Sequence, residues 1–138
     1  MQKRFRSHLV VIGVVLAIAL VLRFMVMAVH GVDFTLHSDD EGYIRSAKTL
    51  IATGKLTYHR PDEPTVHIMP GISFFLAAFF VVFGKGTGGL LAAKVANILI
   101  GVTGVFGLYL IGREIWNHVA GVIAAFLMAV YFLAMATL

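Results

Sequence analysis

Residues 9–29 read LVVIGVVLAIALVLRFMVMAV, with one charge, Arg23, in the whole stretch. About 20 predominantly apolar residues in a helix cross the ~30 Å hydrocarbon core of a bilayer. This run therefore reads as a transmembrane helix. The preceding residues 1–6, MQKRFR, are basic. A secretory signal has a shorter apolar core followed by a small-residue cleavage site. Here the run is too long and no A-x-A pattern follows, so the segment reads as a retained first span behind a basic tail, residues 1–8.

The remainder of the chain has the same character. Of 138 residues, 59% are hydrophobic and 13% are charged, against about 25% charged in soluble domains. The mean hydropathy is +0.92. No soluble domain of this size has a core large enough to hide so much apolar surface. Composition thus excludes an ordinary cytosolic domain, a disordered chain and a nucleic-acid binder. The formal charge of +4 comes from a few flanking Lys and Arg, not from a basic face. The absence of cysteine excludes disulfides, thiolate zinc sites and cysteine nucleophiles.

Three further apolar runs are predicted as spans, at 66–84, 90–111 and 119–138. The second holds Pro70, and proline suits a first helical turn, where its missing N–H costs nothing. Its regular helix is expected to start near Pro70 and end at Gly84, thin for a span. The expected fold class is all-α: a polytopic membrane protein of about four transmembrane helices, with an amphipathic extracytoplasmic helix between the first and second. Lys and Arg near span ends favour the cytoplasm. Lys3, Arg4 and Arg6 put the N-terminus there, and Lys85, with nearby Lys94, puts the second-to-third turn there too. The outward loop is then 30–65, and the chain is expected in a plasma or inner membrane.

The stretch 31–69 holds six of the seven acids, Asp33, Asp39, Asp40, Glu41, Asp62 and Glu63, against Arg45, Lys48, Lys55 and Arg60. Long ordered loops are often functional. Ser38 and Glu41 form an S-x-x-E capping box, and three acids in the first turn suit the helix dipole. Tyr43, Ile44, Ala47, Leu50 and Ile51 recur on one helical face, and Gly54 is a natural residue to follow a helix C-terminus. The pattern predicts an amphipathic helix over 39–53, lying on the outer membrane surface.

Asp39-Asp40-Glu41-Gly42-Tyr43, the Ala and Leu helix ending at Gly54, Met69-Pro70-Gly71, Phe83-Gly84 and Gly112-Arg113-Glu114 together resemble the N-terminal part of C-type glycosyltransferases. The likeness is to the dolichyl-phosphate-mannose protein mannosyltransferase family and bacterial relatives such as the lipid A aminoarabinose transferases. It covers roughly residues 9–138. The second acid is Asp40 where the family more often has Glu. Spacing to Tyr43 makes Asp39 the counterpart of the family's catalytic aspartate, with Asp40 second.

The resemblance implies inverting transfer of a hexose or pentose from a polyprenyl-phosphate donor to an acceptor hydroxyl on a protein, lipid or glycan, at the outer membrane surface. Asp39 would orient the hydroxyl and take its proton. Tyr43 would line the substrate site, and a cation, Arg45 or Arg60, would offset the donor phosphate. Family members have many more spans, so the chain is expected to be the N-terminal portion of a longer transferase and inactive alone. The alternative reading is a small non-catalytic membrane subunit or a transporter fragment. A transporter, however, more often sets its polar groups at the bilayer midplane.

Other residues have plainer readings. Arg23 is expected to snorkel or to pair structurally. His37, Asp39, Asp40, His59, Glu63 and His67 could gather a divalent ion, which some relatives use. No metal-ligand spacing such as H-x-x-x-H is present, so no metal ligand is assigned. Gly101, Gly104 and Gly107 are expected to permit close helix packing. Asn97 is expected to bond between helices, and Trp116 to anchor at the interface.

Overall fold

A computed structural model describes residues 2–33, 39–57 and 70–136, with side chains described for 9–33, 39–57 and 70–131. It consists of five helices: α1 (Gln2–His30), α2 (Asp39–Thr53), α3 (Pro70–Phe83), α4 (Thr87–Ile115) and α5 (His118–Ala136). The all-α architecture, with four apolar helices and one amphipathic helix, agrees with the sequence reading. Residues 2–8 are helical and continuous with α1. Two stretches, Leu9–His30 and Thr87–Ile115, are long and apolar enough to cross a membrane; Pro70–Phe83 and His118–Tyr131 are shorter apolar helices. Large apolar side chains such as Val10, Val21, Leu99, Ile100, Val119 and Leu127 are exposed, as helices bathed in lipid require.

Local signals set the helix ends. Gly31, Gly54 and Gly84 follow α1, α2 and α3 with φ of 83°, 71° and 89°, a region costly for any residue with a Cβ. At Gly54 the N–H also donates to the Leu50 carbonyl at 2.9 Å, satisfying an acceptor the helix end leaves open. Pro70 opens α3 as predicted.

Two compact units share the chain, one formed by 1–29 and 97–138 and the other by 30–96. In the first, Ile12, Val15 and Ala19 of α1 pack with Val105 and Tyr109 of α4 and with Ala125 and Ala129 of α5. The alanines let backbones approach where lipid offers no hydrophobic drive for association. Arg23 belongs to this unit and is only 3% exposed. Its guanidinium donates back to the Ala19 carbonyl at 3.1 Å, one turn toward the helix N-terminus. It does not snorkel; it pairs structurally. Gly101 leaves it room, since a Cβ there would stand 3.0 Å from Arg23 Nε.

The other expectations for α4 divide. Gly104 and Gly107 have open space beside them, so among the described residues Gly101 is the one of the three spaced glycines that meets another helix. Asn97 is exposed, and among the described residues no bond from it to another helix is seen. Trp116 is 72% exposed at the end of α4, as an interface anchor would be.

Candidate active site

The second unit carries the acids. Helix α2 begins at Asp39 and holds Asp39, Asp40 and Glu41 in its first turn, where the unsatisfied N–H groups and the helix dipole favour negative charge. Asp40 Oδ1 accepts the Glu41 N–H at 2.9 Å. Ser38, the expected cap, lies outside the described residues.

A small apolar cluster fixes the helix. Ala47 of α2 is fully buried against Ala77 and Phe80 of α3, with Ile44, Leu50, Ile51, Leu76 and Leu90 packed around them. Lys48 reaches over the Phe80 ring at 6.0 Å from its centroid. Small residues at 47 and 77 let the helices meet closely. Phe80 fills the space beside Gly89, where a Cβ would overlap the Gly84 carbonyl and come 2.7 Å from Phe80 Cδ1. Ser46 and Ser73 are also fully buried here, and their hydroxyls make no hydrogen bond among the described residues.

The orientation of α2 sorts the predicted site residues. Asp39 is exposed at the helix start, and Asp40 and Tyr43 are half-buried. Tyr43 stands one turn after Asp39, so both lie along the same side of the helix. Arg45 is exposed on the face away from Ala47, and its carbonyl accepts the Thr49 hydroxyl at 3.1 Å. Arg60 lies outside the described residues, as do His37, His59, Glu63 and His67. Among the described residues no three of His, Asp and Glu converge as metal ligands.

One charged residue of this unit escaped the sequence reading. Lys94, in the second turn of α4, is half-buried; burial disfavours its charge, and the negative charges of Asp33 and Asp40 partly oppose that. From sequence it counted only as a cytoplasmic marker at the edge of an apolar run. A hint lay in its spacing from Leu90, which puts both on one helical face.

The family model described as Dolichyl-phosphate-mannose-protein mannosyltransferase matches residues 62–138. That stretch contains α3, α4 and α5, including Lys94; Asp39, Asp40, Tyr43 and Arg45 precede it. No curated protein and no solved structure matches the chain.

Proposed function

The chain belongs to the dolichyl-phosphate-mannose-protein mannosyltransferase family, membrane-integral glycosyltransferases that draw on polyprenyl-phosphate sugars. On that premise we propose that α2 carries the catalytic acid, with Asp39 as the base of an inverting transfer to an acceptor hydroxyl at the extracytoplasmic membrane surface.

What supports this reading is the antiparallel packing of α1 on α4: Arg23 lies against Gly101, and Ile12, Val15 and Ala19 lie with Val105 and Tyr109. Asp33 lies just past the glycine that ends α1, and Lys94 lies near the start of α4. The end of α1 and the early part of α4 thus point toward one membrane face. Helix α3, between them, has 14 residues and extends about 21 Å, short of the ~30 Å hydrocarbon core. We read it as lying at that face, docked on α2, in place of the span expected over 66–84, so that α1, α4 and α5 make the crossings. The basic residues Lys3, Arg4 and Arg6 favour a cytoplasmic N-terminus, so the acids face outward. The Lys85 turn then shares the outer face with α2, against what its charge alone suggests. Arg113 marks a cytoplasmic turn between α4 and α5.

The chemistry follows from that position. A polyprenyl-phosphate donor presents its glycosidic carbon at headgroup level. The Asp39 carboxylate orients the acceptor hydroxyl and accepts its proton as the oxygen attacks that carbon. The bond to the phosphate oxygen breaks on the opposite face of the sugar, and the lipid phosphate leaves. Tyr43, one turn along α2, lines the same site. Either Arg45 or Arg60 supplies a cation to the leaving phosphate. The acceptor is a hydroxyl of a protein, lipid or glycan.

The test uses the full-length protein in its native membrane, assayed with undecaprenyl-phosphate-linked mannose, glucose, arabinose and aminoarabinose. Asp39→Asn, which keeps the shape and removes the base, is expected to abolish the transfer that the wild-type protein performs. Transfer by Asp39→Asn at the wild-type rate would rule out Asp39 as the base.

A further inference from the structure

Lys94 is placed by helix register before electrostatics is considered. Leu90 packs on the cluster of Ala47, Ala77 and Phe80, and Lys94, one turn later, lies on the same face of α4. On α2, Ile44, Ala47 and Ile51 all belong to that cluster. Asp40 precedes Ile44 by one turn and continues their stripe. Two helices thus direct an ammonium and a carboxylate toward a common packed centre. Burial disfavours the Lys94 charge there, and the negative charges of Asp33 and Asp40 oppose that effect. At 29 residues, α4 exceeds by about nine the ~20 residues that span a bilayer. Its first two turns, up to Lys94, therefore sit at headgroup level. A half-buried ammonium there loses hydration that a carboxylate partner restores.

We propose that Lys94 is a positioning residue of the acidic site: its ammonium holds the Asp40 carboxylate against α4 and thereby fixes the first turn of α2, and with it the neighbouring Asp39. Lys94 touches neither donor nor acceptor. It acts by keeping the base in line, where misplacement by about 1 Å costs on the order of a hundredfold in rate. The consequence for catalysis rests on the transferase reading; the pairing of Lys94 with Asp40 does not.

The two parts are tested separately, on the full-length protein in lipid nanodiscs. A membrane-permeant carbodiimide joins an amine to a carboxylate only where they touch. Peptide mass spectrometry should find Lys94 joined to Asp40, with some joined to Asp33. The product should vanish in Lys94→Arg, whose guanidinium forms no stable amide. A Lys94 joined to neither acid overturns the pairing. In the transfer assay, with the donor that the wild-type chain uses, Lys94→Met should lower kcat at least tenfold and leave the donor KM within threefold. Lys94→Arg should restore kcat to within about threefold of wild type. Where Lys94→Met fails to fold, Lys94→Gln takes its place. A kcat unchanged by loss of the ammonium, or a loss confined to KM, overturns the positioning role. Absence of transfer by the full-length wild-type protein would sink the transferase reading alone, and the cross-link would still decide whether Lys94 holds Asp40.

Discussion

Gly112 and Gly121 face each other across the α4–α5 turn so closely that a Cβ on Gly112 would stand 2.8 Å from the Gly121 Cα. A Cβ on Gly121 would lie 2.5 Å from the Tyr109 carbonyl oxygen and 2.9 Å from the Arg113 nitrogen. The obstacles are backbone atoms, which cannot swing aside as a side chain can. These two glycines allow α4 and α5 to approach closely beside their turn.

Gly112→Ala and Gly121→Ala should each destabilise the protein by about 1–3 kcal/mol, the usual cost of forcing extra atoms into a packed site. Gly104→Ala is the control, since a Cβ there meets open space and alanine is the better helix former by roughly 1 kcal/mol. Thermal melting of the three variants in one detergent checks the ordering. A Gly121→Ala protein that melts with Gly104→Ala would mean the turn opens without cost.

Beside those glycines, Tyr109 Oη lies 3.1 Å from His118 Nδ1, with the two rings edge to face at 5.7 Å. The Arg113 guanidinium sits over the Tyr109 ring at 5.9 Å. Tyr109→Phe keeps both ring contacts and removes the hydroxyl alone. It should lower stability by about 1 kcal/mol, typical of one hydrogen bond. Tyr109→Leu should cost more, because it also removes the rings' contacts. Equal melting of wild type and Tyr109→Phe would show that the hydroxyl bond contributes nothing.

What could be read from the sequence is what is encoded locally. Helix α2 runs from Asp39 to Thr53 as its acids and Gly54 announce, because dipole, spacing and glycine conformation all act within one or two turns. Pro70 and Gly84 bracket α3 for the same reason. Whatever depends on a distant partner was not legible. Lys94 looked like a topology marker until α2 and α4 were brought together. The open space at Gly104 and Gly107, and the near-contact at Gly112 and Gly121, follow from where α5 lies, which no spacing within α4 encodes. Arg23 offered two readings, and the Ala19 carbonyl together with the gap at Gly101 decides between them.

Phe80 tests whether the docking of α2 matters to function. It is 2% exposed and stands between Ala47 and the start of α4, with Lys48 over its ring. Truncation to alanine leaves a cavity where α2 rests on α3, at a cost of about 3–5 kcal/mol for a buried phenylalanine. That exceeds what the few remaining contacts, chiefly Ile44, Leu50 and Ile51, supply against the entropy of holding α2 in place. Phe80→Ala should therefore release α2 while α1, α4 and α5 stay assembled through their own core. Hydrogen exchange should speed up in the α2 amides and stay unchanged at Val105 and Ala125. Sugar transfer should fall although no residue of the acidic turn has changed. Phe80→Leu, which keeps most of the volume, should keep α2 protected and most of the activity. Unchanged α2 protection in Phe80→Ala would mean that something other than this cluster holds the acidic helix in place.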